Sequence, residues 1–314
     1  MDATALLEIS QRLKFAEECL SPFKLPWRRG NVTEERQRLE HLIAKDRVQE
    51  GRPFAFKAPG ATETELICLN PRAGTAWKLA LVAALQPGVD LVSLLKSRPR
   101  VELPPPPSTV ELLRSRRFVF VRNPYDRLIS TYLAFEKGSA ATLEGPGEYV
   151  RGDGFAAFVG NLTRLDGASD DLNPHFRPQS QLCGLPMGMS FDYVLKLEDM
   201  ARWYEPFSRL LGITDLVQDP AWNTSGREWR GGKPCFYTPP KVRCSDLFDD
   251  DVAACAAVGD ATADEEFGEA DAGLAAGSGV GLRKWYYTSD VLIKQATGWL
   301  INDLRTFGYK PMRR

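Results

Sequence analysis

The chain has 314 residues, of which 43% are hydrophobic and 26% charged, and its formal net charge is −1. This length allows one large α/β domain with a sizeable core. No stretch approaches the roughly 20 unbroken apolar residues that a membrane span needs, and the charged amphipathic start of the chain differs from a secretory signal peptide. We therefore expect either a cytoplasmic protein or one whose membrane anchor is missing from this chain.

Charge is distributed unevenly along the sequence. Residues 249–281 hold nine acidic residues and no lysine or arginine, and without them 32 acidic residues face 40 basic ones, a net charge of +8. We expect this segment to be a disordered, low-complexity acidic insertion, because its composition offers little apolar surface to bury. The basic remainder suits an anionic ligand, although an ordinary solvated surface would give the same count.

The cysteines and glycosylation sequons bear on metal binding and on the compartment. The six cysteines are Cys19, Cys68, Cys183, Cys235, Cys244 and Cys255. None forms a CxxC pair, so we expect no zinc or other metal site. Cys68 lies inside an apolar run and is expected to be a small core residue, while the late cysteines could pair in an oxidising compartment. Sequons at Asn31, Asn161 and Asn223 are typical of the secretory pathway.

In chain order, the hydrophobic patterns predict strands that alternate with helices. The predicted helices cover residues 1–20, 33–47, 75–86, 108–116, 125–138 and 290–308, and the predicted strands cover 65–70 and 117–122, with a further strand and helix within 191–213. Alternation of this kind favours an α/β fold with a parallel sheet and helices on its faces. Ligands of such sheets bind beyond the carboxyl ends of the strands.

The first candidate anion site is the corner "LICLNPRAGTAWK" (66–78). A buried strand leads to a tight loop, and a helix begins at once, so that loop amides and the helix N-terminus would point at an anion. Gly74 permits close backbone approach, Thr75 offers a hydroxyl, and Arg72 and Lys78 offer charge. The loop is not GxxxxGK[ST], so ATP is not implied. A plain turn with surface cations is the alternative.

The second candidate is the corner "FVFVRNPYDRLISTYLAF" (118–135). Arg122 ends the predicted strand, where a guanidinium can fork onto a phosphate. Arg127 and Ser130 follow one helical step apart and are expected to share a face. Two arginines and a hydroxyl beyond a strand end would suit a compact dianion, whereas the alternative is a salt-bridged turn.

The two corners together resemble sulfotransferases. "RNPYDRLISTY" resembles the R-x-P-x-x-R-x-x-S-x-Y stretch that binds the 3′-phosphate of the donor, and "NPRAGTAWK" resembles the P-K-x-G-x-T-x-W-K loop that binds the 5′-phosphosulfate in the carbohydrate branch (chondroitin, dermatan and HNK-1 type, sulfotransferase family 2). Three more stretches resemble segments of that branch: "HFRPQSQLC" (175–183), "FDYVLKLEDM" (191–200) and "WYYTSDVLIKQATGWLINDLRTFGY" (285–309). The resemblance extends over residues 66–310.

The resemblance implies a single P-loop-like domain with a central parallel sheet over residues 61–314, after a helical extension over 1–60. It also implies 3′-phosphoadenosine 5′-phosphosulfate (PAPS) as sulfuryl donor, leaving adenosine 3′,5′-bisphosphate, and a hydroxyl acceptor that is a saccharide and not a nucleic acid. The residues implied to line the 5′ side of PAPS are Arg72, Ala73, Gly74, Thr75, Ala76, Trp77 and Lys78. Arg122 and Ser130 are implied to bind the 3′-phosphate. The implied location is the Golgi lumen, with a cytoplasmic location as the alternative.

Two catalytic residues are expected. Arg72 stands where the family usually has lysine, and because a guanidinium is a poor proton donor, its expected role is electrostatic. His175, in "NPHFRPQ", is the expected base, although it could instead be a hydrogen-bonded loop anchor; His41 lies outside the resemblance. Some relatives place the catalytic histidine between the two phosphate motifs, where this chain has none, and Asp90 or Glu102 would be the substitutes there.

Other functions stay open on the sequence. The acceptor could be a small-molecule or lipid alcohol or an amine, because acceptor pockets vary on a common donor site. A kinase with a variant phosphate loop is a second enzyme class, although the Walker lysine–serine pair is absent. A non-catalytic protein that binds PAPS or a polyanion would also fit the basic remainder.

Overall fold

The structure is a computed structural model of the chain. It describes residues 3–24, 31–43, 51–57, 63–73, 81, 84, 107–136, 154–169, 171–218, 283 and 286–313. Several sequence predictions lie outside these residues. They concern most of the 75–86 helix, the 249–281 insertion, the candidate bases Asp90 and Glu102, and the loop residues Gly74, Thr75, Ala76, Trp77 and Lys78.

The helices of the described regions are α1 (Ala3–Leu20), α2 (Val32–Leu42), α3 (Thr109–Arg114), α4 (Pro124–Glu136), α5 (Gly154–Leu162), α6 (Met200–Leu211), α7 (Thr214–Gln218) and α8 (Asp290–Phe307). Most of them were predicted, whereas α5 was not, and α2 ends before the predicted residue 47. Helix α3 begins with the capping box expected at Ser108, whose hydroxyl accepts from the Glu111 amide while the Glu111 carboxylate accepts from the Ser108 amide. It ends two residues earlier than predicted because β3 already begins at Arg116. Among the described residues, no helix is both long enough and apolar enough to cross a membrane.

A four-stranded sheet in the order β1-β2-β3-β4 forms the centre of the described fold. Its strands are β1 (Phe54–Phe56), β2 (Glu65–Leu69), β3 (Arg116–Val121) and β4 (Tyr193–Lys196). Strands β2, β3 and β4 are parallel, as predicted, whereas the short edge strand β1 runs antiparallel to β2. The α/β class, with a mostly parallel central sheet flanked by helices, is thereby confirmed.

Both faces of the sheet are covered, which explains the unbroken apolar runs over residues 66–69 of β2 and 118–121 of β3. Successive strand residues point to opposite faces. One face packs against α1 and α6 and carries Ile67, Leu69, Phe118, Phe120, Tyr193 and Leu195. The other packs against α2 and α3 and carries Leu66, Cys68, Val119, Val121 and Val194. A separate apolar cluster joins α4, α5 and α8.

Cys68 is a small core residue, as predicted, and it has a partner that the sequence did not show. It is fully buried and is half of a disulfide with Cys183, with a Cα–Cα distance of 5.9 Å across a sequence separation of 115 residues. Cys19 is also disulfide-bonded. The Cys68–Cys183 bond attaches β2 to the segment that follows Gln179–Gln181, so it holds together two parts of the edge described next.

Candidate active site

Strands β2 and β3 deliver the two predicted corners to one edge of the sheet. The parallel pairing places Leu69 opposite Phe120, and Val121 opposite Lys196 of β4. The residues that follow, from Asn70 on one strand and Arg122 on the other, therefore leave the sheet side by side. This is the carboxyl edge, where parallel sheets bind ligands.

Arg72 and Ser130 join the two corners directly. The Arg72 guanidinium donates to the Ser130 hydroxyl oxygen from Nε at 3.1 Å and from Nη2 at 2.9 Å. Ser130 lies on α4 and is only 9% exposed. The sequence predicted that these residues bind opposite ends of one donor, and the structure places them in contact.

The loop that carries Arg72 is held by buried polar contacts. Asn70 donates from Nδ2 to the Phe120 carbonyl at 3.0 Å, and its own carbonyl accepts from the Ala73 amide at 3.0 Å. Arg72 has a φ of 63°, in the left-handed region that favours glycine. Ala73 is buried, so of this loop's predicted donor residues only Arg72 presents a long polar side chain in the described part.

Arg122 follows the last residue of β3, as the sequence indicated. Its backbone is clamped by Gln179, which accepts from the Arg122 amide at 2.9 Å and donates to the Arg122 carbonyl at 2.8 Å. Its guanidinium makes no hydrogen bond with a described residue. Burial lowers the pKa of Arg122, while the carboxylates of Asp126 and Glu198 act in the opposite direction.

Carboxylates and a second arginine surround Arg122. Asp126 is buried and accepts two hydrogen bonds from Arg283, at 2.6 and 2.5 Å. Glu198 accepts from the Asn123 amide and, at 3.0 Å, from the Tyr309 hydroxyl. Protein around the Glu198 carboxylate raises its pKa, even though part of the side chain still reaches solvent. Burial likewise raises the pKa of Tyr309, so the phenol remains a donor.

Arg127 does not act as the sequence suggested. It was expected to share an anion-binding face with Ser130, but it is 2% exposed and its guanidinium is directed at backbone carbonyls. It donates to Pro71 at 2.8 Å, Arg177 at 2.9 Å, Pro174 at 3.1 Å and His175 at 3.2 Å. Helical spacing showed that the residue faces this edge but not how deep it lies. Arg127 binds the Arg72 loop to the His175 loop.

His175 therefore lies in a loop attached to the Arg72 loop through one guanidinium. Its carbonyl accepts from Arg127 and, at 3.3 Å, from the Thr131 hydroxyl. Its Nδ1 lies 3.0 Å from Oδ1 of Asn173, an atom that also accepts from the His175 amide at 3.0 Å. The ring is partly exposed. The Asn173 side-chain oxygen can only accept, so Nδ1 is the donor in this contact, and the contact orients the imidazole.

Two supporting residues were not singled out from the sequence. Gln179 is fully buried and clamps Arg122, and Asp303 on α8 is fully buried and accepts from the Gln179 amide at 2.8 Å and the Ser180 amide at 2.7 Å. Burial raises the pKa of Asp303. Both residues lie within quoted stretches that resemble the family. The available signal for Asp303 was an acidic residue in line with Ala296, Leu300 and Phe307 on the apolar face of an amphipathic helix.

Comparison with known families agrees with this arrangement. Residues 98–231 match the model of the sulfotransferase family. The sulfotransferase match contains Arg122, Ser130, His175 and Gln179, but it covers less than half of the chain and ends before Arg283 and α8. Comparisons with curated proteins and with solved structures give no match. The match supports sulfuryl transfer in general.

Proposed function

We propose that the protein transfers the sulfuryl group of PAPS to a hydroxyl group, with a carbohydrate as the acceptor. The observation that carries the proposal is the contact between Arg72 and Ser130, which unites the two predicted phosphate-binding corners at the ends of adjacent parallel strands. A mononucleotide with phosphates at both its 3′ and 5′ positions needs cationic groups at two such corners.

The residues of this edge fit the 3′-phosphate. Arg122 offers a partly buried guanidinium without a hydrogen bond to described residues, and its backbone is fixed by Gln179. Charge-assisted hydrogen bonds from a guanidinium to an anion are the stronger ones. Ser130 adds a hydroxyl that can donate to the phosphate while its oxygen still accepts from Arg72. ATP lacks a 3′-phosphate and would leave Arg122 without a partner.

In this proposal Arg72 stabilises the charge that develops on the departing 5′-phosphate. PAPS supplies the sulfuryl group and leaves as adenosine 3′,5′-bisphosphate. A guanidinium remains protonated, so Arg72 acts by its fixed positive charge and not by proton transfer. The predicted partners Gly74, Thr75, Ala76, Trp77 and Lys78 would complete the 5′ site.

His175 is proposed as the base that accepts the proton of the acceptor hydroxyl. An imidazole is suited to this near neutral pH, and the Asn173 contact at Nδ1 holds the ring in one orientation. His175→Ala should lower turnover by roughly 100-fold or more while affinity for adenosine 3′,5′-bisphosphate stays the same. Persistence of turnover with an unchanged acid limb of the pH–rate profile would make His175 a loop anchor and would point to a carboxylate base.

The Golgi lumen is the proposed location. The disulfide between Cys68 and Cys183 supports it, because stable disulfides form in oxidising compartments. A saccharide acceptor rests on the sequence resemblance, and a small-molecule or lipid alcohol or an amine would use the same donor edge.

A transfer assay with radiolabelled PAPS, run on glycans, small alcohols, lipid alcohols and amines, tests the proposal. Labelled product with a glycan would support it in full, and product with another acceptor would correct the acceptor class. Transfer from ATP in place of PAPS would indicate a kinase. Tight binding of adenosine 3′,5′-bisphosphate without turnover on any acceptor would indicate a non-catalytic binding protein.

Calorimetry on Arg122→Ala tests the donor site by itself. The lost contact is charge-assisted and contributes roughly 1.5 to 3 kcal/mol, so affinity for adenosine 3′,5′-bisphosphate should fall about 10-fold to 100-fold. Ser130→Ala should lose less. An unchanged affinity in Arg122→Ala would remove the 3′-phosphate from this edge.

A further inference from the structure

Asn31 begins the sequon Asn31-Val32-Thr33 and is the residue that precedes α2. All three side chains are exposed, with Val32 at 67%. The Asn31 backbone has φ −59° and ψ 136°, outside the helical region. The sequon therefore lies at the exposed start of α2.

The two atoms of the Asn31 amide have different surroundings. Oδ1 accepts from the Thr33 amide at 2.8 Å and caps α2. Nδ2 makes no hydrogen bond with a described residue, and the residue as a whole is exposed. Glycosylation uses Nδ2 and leaves the amide carbonyl intact, so α2 would keep its cap when the sugar is attached.

A second described sequon has less favourable surroundings. Asn161 lies inside α5, which packs against α4 and α8, and its side chain is only partly exposed. Its neighbours Phe158 and Leu162 are 2% and 4% exposed. A glycan there would have to leave the surface beside a packed helix interface. Asn223 lies outside the described residues.

The disulfide supplies an independent indication of the compartment. Cys68 and Cys183 are both fully buried and bonded across 115 residues, as in proteins that fold in an oxidising lumen. Asparagine glycosylation takes place in the same kind of compartment.

We propose that Asn31 carries an N-linked glycan. A lipid-linked oligosaccharide diphosphate is the co-reactant: a bond forms between Nδ2 and the anomeric carbon, the bond from that carbon to the diphosphate oxygen breaks, and Nδ2 loses one proton. The proposal depends on the luminal location and not on sulfuryl transfer. Its test can therefore fail while the enzyme activity stands, and the reverse also holds.

The test uses the full chain expressed in eukaryotic cells behind an added cleavable secretory signal peptide. The sample is treated with peptide N-glycosidase in heavy-oxygen water and digested with trypsin, which releases "GNVTEER" (30–36). We expect the peptide to carry a heavy-oxygen aspartate at position 31. Thr33→Ala should abolish the label, Thr33→Ser should retain it, and Asn161→Gln should leave the glycosylated mass of the protein unchanged.

The same digest controls for the compartment. Recovery of the Cys68–Cys183 crosslinked peptide shows that the sampled chains folded in the lumen. An unlabelled 30–36 peptide from those chains, or a glycan on Asn161 instead of Asn31, would overturn the assignment.

Discussion

Arg72 combines an unfavourable backbone with a side chain at the centre of the candidate site. Its φ of 63° costs an L-residue roughly 1 to 2 kcal/mol relative to glycine, and the two hydrogen bonds to Ser130 return part of that cost. Residues held in sparsely populated conformations are concentrated at functional sites. A substitution of Arg72 should therefore change enzyme activity much more than it changes the stability of the fold.

Arg72→Gly should leave the free energy of unfolding within about 2 kcal/mol of the wild type, because relief of the backbone cost offsets the lost contacts. The same change should lower turnover with PAPS by roughly 100-fold or more, whereas Arg72→Lys should retain much of the rate. Urea titration and initial-rate kinetics measure the two effects. If the glycine variant only raises the Michaelis constant for PAPS, Arg72 binds the donor without stabilising the transition state.

We expect the negative charge of Glu198 to oppose anion binding at Arg122. Its carboxylate lies near Arg122, accepts from the Asn123 amide, and has a pKa raised by the surrounding protein although the side chain is exposed. Glu198→Gln keeps an oxygen acceptor but removes the charge. It should tighten binding of adenosine 3′,5′-bisphosphate about 3-fold to 10-fold at neutral pH, the size of a partly screened charge pair.

The difference in affinity between the wild type and Glu198→Gln should become smaller as pH falls. As pH falls through the raised pKa of Glu198, the wild-type carboxyl becomes neutral, so the wild-type affinity should approach that of Glu198→Gln. The phosphate itself gains a proton near pH ~6 in both proteins, which makes the ratio of the two affinities the quantity to follow by calorimetry. A ratio that is equal at all pH values would show that Glu198 does not sense the bound phosphate.

Arg127 connects the corner after β2 to the loop of residues 174–177. Four backbone carbonyls accept from its guanidinium. The single nitrogen of a lysine cannot reach carbonyls of both loops, and each buried carbonyl left without a donor costs roughly 1 to 3 kcal/mol. Arg127→Lys should lower the free energy of unfolding by about 2 to 4 kcal/mol, measured by urea titration.

The kinetic result distinguishes positioning from folding. Below its unfolding transition, Arg127→Lys should bind adenosine 3′,5′-bisphosphate with nearly normal affinity, since Arg122 and Ser130 remain, but should turn over more slowly. Arg36→Lys is the matched control, because among the described residues Arg36 pairs only with Glu40, in an exposed ion pair on α2. It should change stability by less than about 0.5 kcal/mol. A fully stable, fully active Arg127→Lys would separate the two loops functionally.

The elements show which parts of the molecule the sequence could predict. Strands β2 and β3 were predictable because both of their faces are buried, which gives unbroken apolar runs. Helix α3 was predictable from its capping box. The three residues of β1 carry too little pattern, and α5, "GFAAFVGNL", lacks the polar positions that reveal a helical period.

Contacts between distant parts of the chain were not predictable. The Cys68–Cys183 bond spans 115 residues, and the Arg283–Asp126 pair joins residues 157 apart. Spacing placed Arg122 and Ser130 near one edge, but only the fold shows that Arg72, and not Arg127, reaches the serine. Local patterns record the periodicity of an element, whereas the depth and partner of a side chain depend on the rest of the chain.

Charge is distributed unevenly over the molecule, and this feature is visible directly in the sequence. The acidic stretch 249–281 accounts for the difference between a net charge of −1 and a basic remainder of +8. Three of the basic residues, Arg72, Arg122 and Arg283, lie at the edge of the sheet that forms the candidate site. Removing the acidic stretch should therefore strengthen the electrostatic attraction between the protein and polyanions. Salt weakens this attraction, because charges more than about 10 Å apart are largely screened at an ionic strength of about 0.1 M.

Excision of residues 250–280 should leave the free energy of unfolding within about 1 kcal/mol of the wild type, because a segment of this composition buries little apolar surface and a change in loop length costs little. The excised protein should elute from immobilised heparin at higher salt.

A variant with a neutral Gly/Ser segment of the same length is the control, since it keeps the loop length and removes only the charges. This variant should elute from heparin at the same salt concentration as the excised protein. Thermal denaturation and salt elution together decide the outcome. A large loss of stability in both variants would mean that the acidic side chains pack against the folded protein, and unchanged elution would mean that they do not oppose polyanion binding.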